Sequence, residues 1–118
     1  MRVGVVGLFH LGCVTAACLT KFGHIVIAYD EDPQLITHLR QGFPPIYEPG
    51  LTELMNAAKN SNALHFTHDP SELKDLDIIW IAYDTSINEL GQADVNEIRN
   101  RVIKLFSYFK NNALIIIS

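Results

Sequence analysis

Near the N-terminus stands the sequence RVGVVGLFHLG, residues 2–12. The part before Gly7 is largely apolar and β-branched, which predicts a strand, and Gly7 and Gly12 bracket the loop that follows. A second apolar segment, residues 25–29, ends in Asp30. A strand, a G-x-G-x-x-G-like loop and an acid about 20 residues further on are typical of a dinucleotide-binding βαβ unit.

One position departs from that pattern, because Phe9 stands where the middle glycine belongs. The first glycine of such a loop permits the tight turn and the third lets the helix pack on the sheet, whereas the middle one lets backbone N–H groups approach a pyrophosphate. Gly7 and Gly12 therefore preserve the architecture, and Phe9 places a benzyl group where the phosphates would lie. The motif leaves two interpretations open, a dinucleotide site or the same architecture without a ligand.

Strands and helices alternate along the whole chain. The pattern predicts strands at about 2–7, 25–29, 64–66, 77–83 and 113–117, and helices at about 11–22, 33–41, 51–59, 70–72 and from 94 onward, where apolar residues keep helical spacing to Phe109. Repeated βα units with right-handed crossovers predict an α/β fold, a Rossmann-type doubly wound parallel sheet in three α/β/α layers. The proline-rich segment 43–50 is predicted to be an ordered loop.

Local signals mark the predicted helix boundaries. They are Gly23 as a C-terminal cap, Asp32-Pro33 and Asp69-Pro70 as N-caps followed by proline, and Asp94 with Glu97 as a capping box.

Length and charge limit the function classes. The 118 residues predict one domain, and a net charge of -4 without a Lys/Arg cluster gives no electrostatic reason to expect nucleic acid or an anionic membrane as partner. No apolar run approaches the roughly 18 residues that span a bilayer. We therefore expect a cytoplasmic protein.

Cysteine and histidine spacing does not favour a metal or a disulfide. Cys13 and Cys18 are separated by about 140° around a helix, match no zinc spacing and are expected to be small buried residues. The five histidines lie on different predicted elements, so solvated or core-edge positions are the better interpretation, and we expect no metal site.

Four segments together resemble one family, the UDP-glucose/GDP-mannose dehydrogenases, and in particular their N-terminal NAD-binding domain. The segments are residues 5–24, Asp30 with Asp32, the sequence PIYEPGL at 45–51, and residues 81–95. The resemblance implies NAD as cofactor. It assigns Gly7, Leu8, Phe9, His10, Leu11 and Gly12 to the pyrophosphate, Asp30 to the adenosine ribose hydroxyls, and Thr85 to a position beside the cofactor.

The departures from the family pattern cluster at these ligand positions. Phe9 replaces glycine, Tyr83-Asp84 and Ser86 surround Thr85 where the family usually has valine-glycine and proline, and Gln34-Leu35 replace a basic residue. The alternative is therefore a degenerate module with weak or lost NAD binding that serves assembly or regulation.

The resemblance also implies an activity for the family, the four-electron oxidation of a nucleotide-sugar primary alcohol to a carboxylate by two NAD in succession. The catalytic cysteine belongs to a C-terminal region that the 118 residues do not contain, so no catalytic residue is assigned. We expect residues 1–118 to be a single NAD-binding domain, either excised from a longer enzyme or a stand-alone relic. The nucleotide sugar would bind only with the missing domains, and exposed apolar surface could form a homodimer.

Overall fold

The computed structural model describes residues 1–84 and 95–118. It contains five strands, β1 (Arg2–Val6), β2 (Ile25–Tyr29), β3 (Leu64–Thr67), β4 (Ile78–Ile81) and β5 (Leu114–Ile117). The α-helices are α1 (Leu11–Lys21), α2 (Pro33–Arg40), α3 (Leu51–Asn60) and α4 (Val95–Leu105), with short 3₁₀ segments at Pro70–Leu73 and Phe106–Tyr108. Predicted residues Thr85 and Asp94 lie outside the described ranges.

The five strands form one parallel sheet in the order β3-β2-β1-β4-β5. The central strand β1 pairs with β2 on one side and with β4 on the other, so that Val5 lies between Ala28 and Trp80. The chain moves outward from β1 in both directions, and this reversal opens a crevice beyond the carboxyl ends of β1 and β4. The prediction of a doubly wound parallel sheet is confirmed.

Helices cover both faces of the sheet. Val5 and Val6 are both fully buried, and because neighbouring residues of a strand point to opposite faces they enter two different clusters. The Val5 cluster includes residues of α1, α2 and α3, whereas the Val6 cluster includes Leu73 and residues of α4. These clusters give the three layers that the sequence predicts.

Two helix N-termini that contain proline and one helix C-terminus that ends in glycine have the predicted geometry. Asp32 Oδ1 accepts the Gln34 N–H at 3.0 Å, and Asp69 Oδ1 accepts the Ser71 N–H at 3.0 Å. At the end of α1, Gly23 has a φ of +93°, while its N–H and that of His24 donate to carbonyls of the last turn.

Two local predictions are wrong. The fourth α-helix ends at Leu105 and not near Phe109, because the chain tightens into a 3₁₀ turn whose Phe106 is half exposed. The short helix predicted after Asp69 is present, as the 3₁₀ segment Pro70–Leu73. Cys18 is exposed on α1, whereas Cys13 is buried as expected, and both are free thiols. Within the two described ranges, no helix has the length and apolar character needed to cross a bilayer.

Candidate functional site

A cleft of about 490 Å³ lies at the carboxyl ends of β1, β2 and β4. The loop after β1 forms one wall, and the residues that follow β2 and β4 form the others. Arg101 reaches the cleft from α4. Because this crevice coincides with the point where the strand order reverses, it is the place where open α/β sheets bind ligands.

The two glycines of the loop are required by close backbone contacts. Gly7 has a φ of +92°, and a Cβ there would lie 2.6 Å from the ring of Tyr83. A Cβ on Gly12 would lie 1.6 Å from the carbonyl oxygen of Gly7. No side chain fits at either position without moving backbone, so both glycines fix the approach of α1 to the sheet.

Asp30 joins the end of β2 to this loop. The residue is 8% exposed, its Oδ2 accepts the Leu8 N–H at 2.9 Å and its Oδ1 accepts the Asp32 N–H at 3.0 Å. Burial raises the pKa of the Asp30 carboxyl although the two N–H donors lower it, and the Arg101 guanidinium also lowers it. Each carboxylate oxygen has a second lone pair, so Asp30 can still accept hydrogen bonds from ligand hydroxyls.

Phe9 forms part of the cleft wall, and the residue is 50% exposed. The next residue, His10, is the N-cap of α1 without a side-chain cap bond. Its Nε2 lies 3.8 Å from Glu48 Oε2 in the proline-rich loop, which brings that loop to the same end of α1.

The backbone N–H of His10 has a partner that sequence reasoning did not predict. It donates to Asp84 Oδ2 at 2.9 Å, across a separation of 74 residues. The sequence marks Asp84 as a departure from the family pattern. It does not show that the carboxylate reaches the first turn of α1.

A cluster of three side chains, Tyr83, Glu31 and Arg101, connects α4 to the cleft and was not predicted from the sequence. The Tyr83 hydroxyl donates to Glu31 Oε2 at 2.9 Å, and the Arg101 guanidinium donates to Glu31 Oε1 at 3.2 Å and to Glu97 Oε1 at 3.0 Å. The Arg101 Cζ also lies 5.1 Å from the centre of the Tyr83 ring. Burial, followed by the Glu31 charge and hydrogen bond, raises the pKa of Tyr83, so this phenol stays protonated.

Cys13 lies behind the loop and is not a nucleophile. Its thiol donates to the Leu8 carbonyl oxygen at 3.1 Å. Burial first, then the carboxylates of Asp30 and Asp84, raise its pKa from 9.0 to about 12, so the thiolate does not form near neutral pH. Among residues 1–84 and 95–118, no three His, Cys, Asp or Glu side chains are grouped closely enough to hold a metal ion.

The structure brings most of the predicted site residues together. Gly7, Leu8 and Phe9 line the cleft together with Asp30. His10, Leu11 and Gly12 belong to the same loop and the start of α1 but are not among the lining residues, although the His10 N–H contacts Asp84 in the lining. Thr85 lies outside the described residues. The sequence interpretation missed Glu31 and Arg101, and their only sequence signal is the position of Glu31 directly after Asp30.

The whole chain, residues 1–118, matches the model described as the UDP-glucose/GDP-mannose dehydrogenase family, NAD binding domain. Among curated proteins it is similar to UDP-glucose 6-dehydrogenase TuaD of Bacillus subtilis, with 35% identity over 83% of this chain and 22% of TuaD. It is also similar to the UDP-glucose 6-dehydrogenase of Pseudomonas aeruginosa, with 36% identity over 83% of this chain and 22% of the relative.

A crystal structure of a ternary complex of GDP-mannose dehydrogenase from Pseudomonas aeruginosa has a similar fold. Its TM-score is 0.81 at 32% identity, over 89% of this chain and 24% of the solved chain. The chain therefore spans about a quarter of the length of these proteins.

Proposed function

The chain belongs to the UDP-glucose/GDP-mannose dehydrogenase family as its NAD-binding domain, and from this premise we propose which residues hold the cofactor. The loop Gly7–Gly12 would hold the diphosphate and Asp30 the hydroxyls of the adenosine ribose. Thr85 would lie beside the cofactor, as the family resemblance implies. NAD, when bound, supplies the hydride acceptor of the reaction.

The observation that carries this assignment is the position of Asp30. A buried carboxylate at the end of β2 holds the Leu8 N–H and keeps free lone pairs at the crevice. Gly12 also supports the assignment of the diphosphate to this loop, because only a residue without a Cβ lets the N-terminus of α1 lie so close to the loop. Phe9 lies on the wall, and the cleft beside it has a volume of about 490 Å³.

We infer that a longer protein containing this domain oxidises the primary alcohol of a nucleotide sugar to the carboxylate. The sugar nucleotide and the covalent chemistry would be handled by residues outside 1–118. Neither cysteine of this chain suits that chemistry, because the Cys13 thiol is buried with a pKa of about 12 and Cys18 lies on the α1 surface away from the cleft lining. We also propose a cytoplasmic location, where the reducing medium would keep the exposed Cys18 thiol free.

We also propose that the isolated domain associates as a homodimer through the outer side of β5 and α4. The last strand of the sheet order, β5, carries Leu114 and Ile117, which are 58% and 72% exposed. Beside it, Ile103 and Phe106 border an apolar groove. Strand edges of this kind pair readily with a second chain, and sedimentation velocity with Ile117→Lys as the dissociating variant tests the association.

Calorimetric titration of the folded domain with NAD tests the cofactor assignment. We expect saturable binding and a rise in thermal stability, which reaches about 2.7 kcal/mol at a hundredfold excess over the dissociation constant. Asp30→Asn should weaken NAD at least about tenfold through loss of charge-assisted hydrogen bonds. Asp75→Asn removes one charge from an exposed position outside the cleft and serves as the control. A folded domain that does not respond to millimolar NAD would favour the alternative module that serves assembly or regulation.

A further inference from the structure

The contact between Asp84 and His10 places an internal anion at the start of α1. Asp84 Oδ2 accepts the His10 N–H at 2.9 Å, and Asp84 is among the residues that line the cleft. The first N–H groups of a helix have no carbonyl partner within the helix and carry its positive end. A carboxylate bound there occupies the kind of donor that a cofactor diphosphate uses.

The rest of the cleft does not compensate for this negative charge. Three further carboxylates line it, those of Asp30, Glu31 and Asp32. Arg101 is the cationic side chain of the described lining, and its guanidinium is paired with Glu31 and with Glu97. A diphosphate that enters the cleft therefore meets more carboxylates than cationic side chains among the described lining residues.

The Asp84 carboxylate also acts on Cys13, which lies next to the loop Gly7–Gly12. The Cys13 thiol, hydrogen-bonded to the Leu8 carbonyl, has its pKa raised by Asp84 as well as by Asp30. The two carboxylates thus act on the same first turn of α1 from the ends of β4 and β2.

We propose that Asp84 is an internal competitor for the cofactor diphosphate, and that its carboxylate must leave the His10 N–H before NAD binds. Asp84 is then the residue that sets cofactor affinity in this chain. The inference rests on the proposed NAD site and adds that the cofactor diphosphate must displace the Asp84 carboxylate from it.

Two substitutions separate the charge of Asp84 from its hydrogen bond. Asp84→Asn keeps an oxygen that can accept the His10 N–H but loses the charge, and Asp84→Gly removes both. We expect Asp84→Asn to bind NAD about tenfold more tightly than the wild type, and Asp84→Gly at least as tightly as Asp84→Asn. Asp75→Asn, with the same change in net charge, should leave the affinity unchanged.

The probes locate the effect within the cofactor. Asp84→Asn should raise the affinity for inorganic pyrophosphate by the same factor as the affinity for NAD. Adenosine, which has no phosphate, should bind the wild type and Asp84→Asn with equal affinity. Because salt screens repulsion, wild-type affinity for NAD should also rise between 0.05 and 1 M salt, and this rise should be smaller in Asp84→Asn. Circular dichroism confirms that each variant is folded.

Each result decides the question. If the wild type and Asp84→Asn bind NAD with equal affinity, the role of Asp84 is overturned and the NAD site stands. The same holds if Asp84→Asn raises the affinity for adenosine as much as the affinity for NAD. Folded variants that all fail to bind NAD would overturn both. Tighter binding confined to the ligands with a diphosphate supports the competitor.

Discussion

Gly12 approaches Gly7 so closely that a Cβ on Gly12 would lie 1.6 Å from the Gly7 carbonyl oxygen. The neighbouring atom belongs to backbone, so it cannot rotate away as a flexible side chain could. This contact sets the distance between α1 and β1, and the buried Ala16 and Ala17 are the small residues that such a distance requires.

We expect Gly12→Ala to lower the free energy of unfolding by about 3 kcal/mol or more, because the methyl group overpacks a rigid backbone contact. Gly23→Ala is the matched control. Gly23 has a φ of +93° but nothing within 4 Å of an added Cβ, so that variant should lose only about 1 kcal/mol to backbone strain. Urea unfolding measures both, and equal losses would contradict the steric role of Gly12.

The two cysteines should differ sharply in reactivity. Cys13 is buried with a pKa of about 12, whereas Cys18 is exposed. Iodoacetamide at pH 8 should therefore alkylate Cys18 alone in the native domain, and both residues after unfolding in urea. Peptide mass spectrometry reports the sites. Rapid modification of Cys13 in the folded domain would show that the loop above it opens readily.

Asp30 should make stability depend on pH in an unusual direction. Its pKa is raised above 3.8 by burial, so between that value and the raised one the native chain holds a proton that the unfolded chain has released. The contribution of Asp30 is therefore fully present below 3.8 and is lost as the pH rises through the folded pKa.

Asp30→Asn has no such proton to lose. The free energy of unfolding of the wild type, taken relative to Asp30→Asn, should decrease from about pH 4 towards neutrality. Urea unfolding at intervals of about one pH unit measures the difference, because the other acidic groups cancel between the two chains. A difference that increases with pH would mean that the hydrogen bonds from Leu8 and Asp32 outweigh burial.

The Arg101 contacts should contribute modestly to stability. Its pairs with Glu31 and Glu97 are about 40% exposed, so solvent screens them, and the position over the Tyr83 ring adds a cation–π contact. Arg101→Ala should cost about 1 kcal/mol. Arg99→Ala, on the same helix but outside the cleft, should cost less than about 0.5 kcal/mol.

A double-mutant cycle with Tyr83→Phe tests whether these contacts act together. Tyr83→Phe removes only the hydroxyl that donates to Glu31. Coupling between the two substitutions of about 0.5 kcal/mol or more is expected for residues in one network. Strict additivity would mean that Arg101 and Tyr83 contact Glu31 independently.

The sequence predicts those features whose cause lies within a few residues. Asp32 caps a helix through the N–H two residues on, and Gly23 ends α1 through the carbonyls of its last turn. The alternation of apolar segments likewise predicts where strands and helices lie along the chain. These signals are local, so no knowledge of the folded chain is needed to read them.

The wrong or missing predictions depend on tertiary contacts. The bond from His10 to Asp84 joins residues 74 positions apart, and Arg101 reaches Glu31 only because α4 packs on the face opposite α1. Phe106 keeps the helical spacing of α4, yet it is half exposed because the chain has already tightened into a 3₁₀ turn. Spacing alone does not contain this information.

The two hydrogen bonds that Asp30 accepts from backbone fasten the turn after β1 and the turn after β2 to each other. A substitution at position 30 would therefore release both turns at once, so it would alter the shape of the loop that begins α1 as well as any contact with a ligand.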